Sequence, residues 1–522
     1  MSLRHAQLLL LSGALLLARS ARADSTLTLD GTVVSDDVDH VFVDFEVPTG
    51  TSEIQIDHDD QSEENILDWG LYDPNGFRGW GGGNSEPIVV TAAAASRSYL
   101  TGPITPGTWR VVIGKAKLVT EPAPYHVVVT LRDVATLPAQ PEREPYLDPG
   151  VIVSGERWYA GDFHVHSKES GDARPPLDEI VAFAKERGLD FVELSDHNTT
   201  SQLDFMNDAQ SRVGDLLLLP GVEFTTYDGH ANGIGATAFV DHKIGLPGVT
   251  IEAAADAFAE QGAILSINHP TLDLGDACIG CAWKHELDGQ TLGAIEIATA
   301  GSSSLFLQGT LDLWESYAAS GHRLTPVGGS DDHQAGTDVG AFGAPIGSPC
   351  TMVLASELSV AGIMEGVRSG RTVVKVRGPA DPMIELASAA GGANGVLVSA
   401  TITGGAGLIA RWVSNGASGP DIPIDGDPFD VALDVAAPAG ATADRYRLEI
   451  WEGTQGVSFS SHVWVEPGSG APAVVEKVDL EGGNGCSAAP AGTSAFGWVL
   501  FGLAVAARSR VSRSERRSAK KK

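Results

Sequence analysis

Between residues 158 and 378, short apolar segments typical of strands alternate with segments whose apolar residues recur at helical spacing. The run 177–187, for example, ends at Gly188 and is followed at once by a strand-like segment. We predict helices over 177–187, 251–260, 305–319 and 359–368, and strands over 162–166, 191–195, 216–219, 263–267, 294–297, 324–328 and near 373. Repeated units of this kind favour a parallel sheet closed into a barrel, with functional side chains at the carboxyl ends of the strands.

The regions on either side of this segment have a different pattern. Over 24–133, polar and apolar residues alternate with a period of two between turn signals, which predicts an N-terminal β-sandwich. Residues 134–157 contain four prolines and no apolar period, which predicts a stiff linker. Alternation returns over 379–480 and predicts a second β-sandwich. The expected fold class is therefore multidomain, with an α/β barrel at 158–378 between two all-β domains.

Both ends of the chain are basic and partly apolar. Residues 1–23 combine Arg4, a short apolar run and Ala21-Arg22-Ala23, which predicts a secretory signal peptide, with a permanent N-terminal anchor as the alternative. Residues 481–522 contain Cys486, an apolar stretch over 491–507 and a basic end, which predicts a short transmembrane segment. This tail resembles the C-terminal sorting tails of bacterial surface proteins, notably the myxobacterial type, in which the cysteine is lipidated. A simple transmembrane anchor is the alternative, and both place the body outside the cytoplasm, at the cell surface or outer envelope.

The net charge argues against a nucleic-acid-binding protein, and the cysteine count argues against a disulfide scaffold. The formal net charge is −32, and an acidic surface repels nucleic-acid phosphates, so we expect no nucleic-acid binding surface. Four cysteines are too few for a disulfide scaffold. Cys278 and Cys281 have the spacing of a metal knuckle, but no second such pair exists, and a local disulfide is the favoured interpretation.

Histidines and acids cluster at the ends of the predicted central strands. Nine of the fourteen histidines lie between residues 164 and 333. Successive side chains of a strand point to opposite faces, so His164 and His166 lie on the same face of one strand. They can therefore bind one metal ion together. Further candidate ligands follow later strands, with Glu223 placed to bridge two ions: His197, Glu223, His230, His269, Asp331 and His333. Asp196 is a candidate to orient a neighbouring ligand, and Glu296 a candidate to protonate a leaving group.

In this order, the motifs His-x-His, Ser-Asp-His-Asn, Gly-Val-Glu, Asn-His-Pro and Gly-Ser-Asp-x-His resemble those of the PHP family of metallohydrolases. The phrases Tyr159-Ala-Gly-Asp-Phe-His164 and Ile346-Gly-Ser-Pro349 are similar to the exported branch related to carbaryl hydrolases. The resemblance implies a distorted seven-stranded β/α barrel. It also implies three metal sites: His164, His166, Glu223 and Asp331; Glu223, His230 and His269; and His197, His333 and Asp172. The run Ser170-Gly171-Asp172 differs by one position from the family's common Ser-Asp-Gly.

Imidazole and carboxylate ligands suit Zn, Mn or Fe, and two or three such cations would activate a water for hydrolysis. We therefore expect a metal-dependent hydrolase acting on a small-molecule ester, with a phosphoester as the leading substrate. Cationic phosphate clamps are scarce, the candidates being Lys168, Lys284, His285 and Arg371. A carboxyl-ester or carbamate hydrolase with the same metals is thus an alternative, and so is a surface binding protein without catalysis.

Overall fold

The computed structural model describes residues 24–299, 303–336, 343–390 and 395–467. The predicted signal peptide, the apolar stretch 491–507 and Cys486 lie outside these residues. Among the described residues, no helix combines the length and the apolar character needed to cross a membrane. Cys278 and Cys281 form a disulfide, as their spacing favours, and Cys350 is a buried thiol.

The N-terminal region consists of two antiparallel four-stranded sheets that share one apolar core. Their strand orders are β1-β8-β3-β6 and β2-β7-β4-β5. Alternate residues such as Ile54, Ile56, Trp109 and Val111 point inward and are fully buried. The strands are β1 Ser25–Val33, β2 His40–Val47, β3 Glu53–Asp59, β4 Ile66–Asp73, β5 Gly76–Gly82, β6 Ile88–Thr91, β7 Gly107–Lys117 and β8 Ala123–Arg132.

The segment predicted as a linker is packed against its neighbours. Arg143 donates hydrogen bonds to the carbonyl oxygen of Tyr99 and to Asp204, which belong to different regions of the chain. Its side chain is only 3% exposed. The following strand already begins at Val153, four residues before the predicted end of the linker at 157.

The central region contains five helices and ten strands among the described residues. The helices are α1 Leu177–Glu186, α2 Leu203–Ser211, α3 Ile251–Glu260, α4 Ser303–Ala319 and α5 Val360–Arg368. The strands are β9 Val153–Val165, β10 Phe191–Leu194, β11 Leu217–Pro220, β12 Glu223–Thr226, β13 Gly229–Ile234, β14 Ile264–Ile267, β15 Ala294–Thr299, β16 Thr325–Gly329, β17 Cys350–Leu358 and β18 Thr372–Lys375.

Hydrogen bonding divides these strands between two mixed sheets. One contains β11-β10-β9-β17-β18 and the other β12-β13-β14-β15-β16. Parallel pairs such as β14–β15 occur beside antiparallel pairs such as β12–β13. Two isolated parallel bridges, Val165 to Asp332 and His197 to Glu223, join the sheets at the carboxyl ends of β9 and β10. The predicted side chains of the site therefore meet where the sheets meet, while the closed seven-stranded barrel stays a prediction.

The first central sheet continues into the C-terminal region. Strand β18 pairs with β26 Gln455–Ser460, and the sheet runs on through β25 Asp444–Glu452 and β21 Ile409–Ser414. A second sheet of three strands covers it across a shared apolar core. The remaining strands are β19 Met383–Ala390, β20 Gly395–Thr403, β22 Ala417–Ser418, β23 Ile422–Pro423, β24 Phe429–Ala436 and β27 Val463–Val465. This region is all-β, as the sequence predicts, but it shares a sheet with the central region.

Candidate metal centre

The predicted ligands come from separate strand ends and lie together around the carboxylate of Glu223. His164 lies at the end of β9 and His166 directly follows it, Glu223 begins β12 and His230 lies on β13. Glu223 Oε1 lies 3.3 Å from His164 Nε2, 3.3 Å from His230 Nδ1 and 3.2 Å from His269 Nε2. Its other oxygen, Oε2, lies 2.8 Å from His197 Nδ1. His166 Nε2 lies 3.5 Å from the same Oε2, so one fully buried carboxylate faces five imidazoles.

Asp331 and Asp172 extend the cluster toward solvent. Asp331 Oδ1 lies 3.1 Å from His166 Nε2 and 3.3 Å from His164 Nε2. Asp172 Oδ2 lies 3.4 Å from His197 Nε2 and 3.4 Å from His333 Nε2. The Asp172 side chain is 57% exposed, so it stands at the open side of the cluster. All nine predicted ligands are therefore brought together.

Several buried polar atoms in the cluster have polar neighbours but no partner in hydrogen-bond geometry, which is costly inside a protein. They are Nε2 of His164, Nδ1 of His166, Oε2 of Glu223 and both ring nitrogens of His230. Groups of three or four ligand atoms lie within 4.8 Å of one another: His164, His166, Glu223 and Asp331; His197, Glu223 and His230; and His166, His197 and His333. Divalent cations accept just these donor types, so the residues fit a metal centre with several ions.

The backbone is held in unusual conformations at two of these positions. His269 has a φ of 27° and Asp331 a φ of 54°, in the left-handed region that non-glycine residues rarely adopt. Such strain persists where the surroundings impose it, and it is frequent at functional sites. Asp162 supplies one such restraint: its carboxylate accepts hydrogen bonds from the backbone of His164 and Ser330 at 3.0 and 2.9 Å.

The imidazoles and carboxylates of the cluster shift one another's pKa values. Burial alone would raise the pKa of Glu223, but His164, His197 and His230 together outweigh it and hold that pKa well below its usual range. Burial opposes the protonation of His164, yet Glu223, Asp331 and Glu296 raise its pKa well above normal. Burial, followed by His333 and His197, lowers the pKa of His166 to about 3. Neutral His166 is the form that can bind a metal ion.

The two residues predicted to be catalytic are buried behind the ligands. Glu296 Oε1 lies 3.2 Å from His164 Nδ1, and its Oε2 accepts a hydrogen bond from the His269 backbone at 2.7 Å. Asp196 accepts hydrogen bonds from both the backbone and the hydroxyl of Ser167, each at 2.6 Å. Glu296 therefore contacts two ligand residues, and Asp196 fixes the loop that follows His166.

Three further residues support the cluster but were not predicted. Asn268 donates to Glu223 Oε1 at 3.0 Å and to Asn232 Oδ1 at 2.7 Å, which fixes the orientation of Glu223. Thr225 Oγ1 lies 2.6 Å from His197 Nδ1. Asn268 stands inside the Asn-His-Pro motif, so its position was visible in the sequence. Asn232 and Thr225 carry no motif of their own. The pairing of β13 with β12 and β14 brings Asn232 to the site, and the bridge between His197 and Glu223 brings Thr225 there.

Comparisons with known proteins give no family assignment. No family model matches the chain, and no curated protein matches it. Among solved structures, it is similar to a two-domain protein from Bacteroides vulgatus described as containing a predicted PHP-like metal-dependent phosphoesterase. That similarity has a TM-score of 0.37 at 21% identity and covers 62% of this chain and 100% of the other.

Two other solved structures are similar over shorter parts. An amidohydrolase from Chromobacterium violaceum has a TM-score of 0.25 at 19% identity, with 34% of this chain and 88% of the other covered. A Bifidobacterium adolescentis protein assigned as a metal-dependent phosphoesterase has a TM-score of 0.25 at 17% identity, with 39% and 95% covered.

Proposed function

We propose that the chain is a metal-dependent hydrolase of the PHP type, built on a distorted β/α barrel, and that it cleaves a phosphate ester. The observation that carries this proposal is the set of unpartnered, buried ligand atoms around Glu223. A protein interior does not keep so many imidazole and carboxylate atoms together without a compensating charge. Two or three divalent cations would supply that charge.

The predicted ligands would form three metal sites. His164, His166, Glu223 and Asp331 would hold one cation, and Glu223 would bridge to a second held by His230 and His269. His197, His333 and Asp172 would hold a third. Bound cations would polarise the ester and acidify a water molecule, which is the chemistry that hydrolysis needs. Because Asp172 is the most exposed ligand measured, the substrate is expected to enter past it.

Glu296 and Asp196 are assigned supporting roles in this proposal. Carboxylates that contact the outer nitrogen of a ligating histidine fix its orientation and raise its basicity. Glu296 has this relation to His164. Asp196 holds Ser167 in place and thereby the loop that leads to Asp172. Both carboxylates are buried, and neither is assigned as the proton donor for the leaving group.

A carboxyl-ester or carbamate hydrolase is the second candidate, favoured by the surroundings of the predicted phosphate clamps. The ammonium of Lys168 lies 5.1 Å from the ring of Phe205, and His285 Nε2 lies 2.7 Å from Thr226 Oγ1. Arg371 faces Glu156 at 4.0 Å. None of these contacts is with a predicted metal ligand. A neutral ester carries no negative charge, so it needs no cationic side chain in addition to the metal ions.

We also propose that the protein is exported and held at the cell envelope by its C-terminal tail. The support is the sequence of residues 1–23 and 481–522. The expected domains are the sandwiches at 24–133 and 379–480 on either side of the catalytic domain at 158–378. Cell fractionation, with mass spectrometry of the mature ends, tests this: a cytoplasmic protein that keeps residues 1–23 would contradict it.

Metal analysis and a substrate screen test the enzymatic proposal. The purified full chain is expected to retain at least one transition ion and to hydrolyse one of p-nitrophenyl phosphate, bis-p-nitrophenyl phosphate or p-nitrophenyl acetate. The double variant His164→Ala, His166→Ala should lose bound metal and activity but keep its circular dichroism spectrum. His322→Ala, outside the cluster, is the control and should behave as wild type. Less than one tightly held ion per chain would favour a binding protein, and turnover in the double variant would refute the assigned site.

A further inference from the structure

A loop carrying Cys281 packs against the metal centre. Its 3-10 turn, Gly275–Ala277, precedes Cys278, and a Cβ on Gly280 would come 2.4 Å from the carbonyl oxygen of Thr226. The backbone oxygen of Cys281 lies 3.1 Å from His269 Nδ1. Cys281 is 1% exposed, so its sulfur is enclosed beside the cluster rather than facing solvent.

The sulfur of Cys281 lies close enough to two of the predicted metal ligands for all three to bind one ion. Its Sγ atom and one ring nitrogen each of His230 and His269 all lie within 4.8 Å of one another. Both ring nitrogens of His230 are buried without a hydrogen-bond partner. Two imidazoles and one thiolate form a familiar ligand set for zinc and cobalt. In the described structure, however, the same sulfur is bonded to Cys278.

We propose that Cys281 is a redox-controlled metal ligand: when the Cys278–Cys281 disulfide is reduced, its thiolate binds the ion held by His230 and His269. This inference rests on the proposed metal centre. Cys278 is partly exposed, so a reductant can reach the disulfide from solvent. The neighbouring atoms are already close, so the sulfur needs only a local rotation to bind.

The chemistry balances with a dithiol as the reductant. The dithiol gives two electrons and two protons, the Sγ–Sγ bond breaks, and the dithiol itself becomes a disulfide. Cys278 keeps its new proton. Cys281 releases its proton to solvent on binding the ion, as thiols do when they coordinate a metal.

Reduction should change what the ion can do. Catalytic sites keep one position open for water or substrate, whereas sites filled by protein ligands are structural. A thiolate from Cys281 would occupy a position that the disulfide form leaves available. The oxidised protein is therefore the more active form, and the reduced protein holds its metal more tightly and hydrolyses more slowly.

Cobalt substitution tests the ligand directly by absorption spectroscopy. The apo protein is loaded with Co²⁺ and then treated with a phosphine, which reduces disulfides without offering a thiol of its own. Reduction of the wild type should produce a near-ultraviolet thiolate-to-cobalt charge-transfer band. Cys278→Ser should show this band without reductant, because its Cys281 is a free thiol. Cys281→Ser should show none in either state, and Cys350→Ser should behave as wild type.

The outcomes separate this inference from the proposed function. Cobalt uptake with visible d–d bands but no charge-transfer band, in both the reduced wild type and Cys278→Ser, would overturn the role of Cys281 and leave the metal centre standing. No cobalt uptake by the wild type would overturn both. A band in Cys281→Ser would assign the thiolate to another cysteine and refute the inference.

Discussion

At the scale of single residues, the cluster around Glu223 contains more charge than a protein interior tolerates without partners. Glu223 and His164 are fully buried, yet neither has all its polar atoms hydrogen-bonded. Such groups destabilise the fold until a ligand compensates them. The unpartnered atoms all belong to residue types that bind metals, and they share one carboxylate. Metal binding and folding are therefore expected to be coupled in this protein.

Glu296 offers a test of whether a carboxylate orients a ligand or donates a proton. Because it lies 3.2 Å from His164 Nδ1, we expect Glu296→Gln to weaken metal binding by about 10- to 100-fold, as the loss of such an outer carboxylate typically does. Competition with a chelator measures this affinity. If Glu296 is instead the proton donor, metal affinity will be unchanged, and the rate will fall only for esters with poor leaving groups.

The sequence predicts the ligands better than it predicts their supports. His164 and His166 are visible because a strand places alternate side chains on one side. Asn268 acts through its contacts with Glu223 and Asn232, and Thr225 through its contact with His197, and these contacts between distant parts of the chain form only in the folded protein. Gly221 is similar: a Cβ there would lie 2.0 Å from the buried carboxylate of Glu193, a constraint that arises only after folding.

At the scale of elements, local signals locate four of the five α-helices and seven of the ten strands described in the central region, while helix α2 and strands β12, β13 and β17 were not predicted. Helix α3 occupies Ile251–Glu260, the predicted range, because Thr250 marks its start and Gly262 follows its end. The hairpin of β12 and β13 was not predicted as strands. Its second strand contains Gly229 and Gly233, and glycine has low β propensity, so the extended form depends on its pairing with β12 and β14.

The N-cap of α3 gives a prediction about local stability. Thr250 Oγ1 accepts a hydrogen bond from the Ala253 backbone at 3.2 Å. Thr250→Ala should lower the free energy of unfolding by about 1 kcal/mol, because a backbone donor loses its partner. Thr250→Ser keeps the hydroxyl and is the matched control. Urea denaturation of the three proteins checks the difference, and equal stability of the Ala and Ser variants would show that the cap contributes nothing.

At the scale of the whole molecule, the central and C-terminal regions are joined by a shared sheet as well as by the covalent chain. Strands β18 and β26 belong to one sheet. Next to this junction, Glu315 of α4 faces Arg445 at 2.9 Å, His462 at 3.0 Å and the guanidinium of Arg447. The sequence predicts two separate domains there. The alternation of polar and apolar residues shows which side of a strand faces a core, but it does not show which strands pair with each other.

This ion cluster predicts how strongly the two regions depend on each other. Glu315→Ala would leave Arg445 and Arg447 without their shared acid, and both side chains are almost buried, at 10% and 5% exposure. We expect a loss of about 3 kcal/mol in the free energy of unfolding. Ser316→Ala, an exposed change on the same helix, is the control. Urea denaturation measures both, and similar small losses would mean that the cluster adds no stability.

The contact between the N-terminal sandwich and the central region predicts sensitivity to acid. His40 of β2 stacks on Tyr227 with ring centroids 5.5 Å apart and lies 5.7 Å from the ring of His242. Neither histidine has a hydrogen-bond partner for its ring nitrogens. Burial, followed by the charges of Lys243 and Lys115, lowers the pKa of His40 to about 3. His40 is thus neutral in the folded protein.

The unfolded chain takes up a proton at His40 below pH about 6.5, while the folded protein does not until about pH 3. The stability that His40 contributes is therefore complete above about pH 6.5 and is lost progressively as the pH falls toward 3. At pH 5 the loss should be about 2 kcal/mol. His40→Phe keeps a ring against Tyr227 but cannot take up a proton. Between pH 7.5 and pH 5, the free energy of unfolding of this variant should therefore fall by about 2 kcal/mol less than that of the wild type. An identical fall in the variant and the wild type, measured by urea denaturation at both pH values, would exclude His40 as the cause.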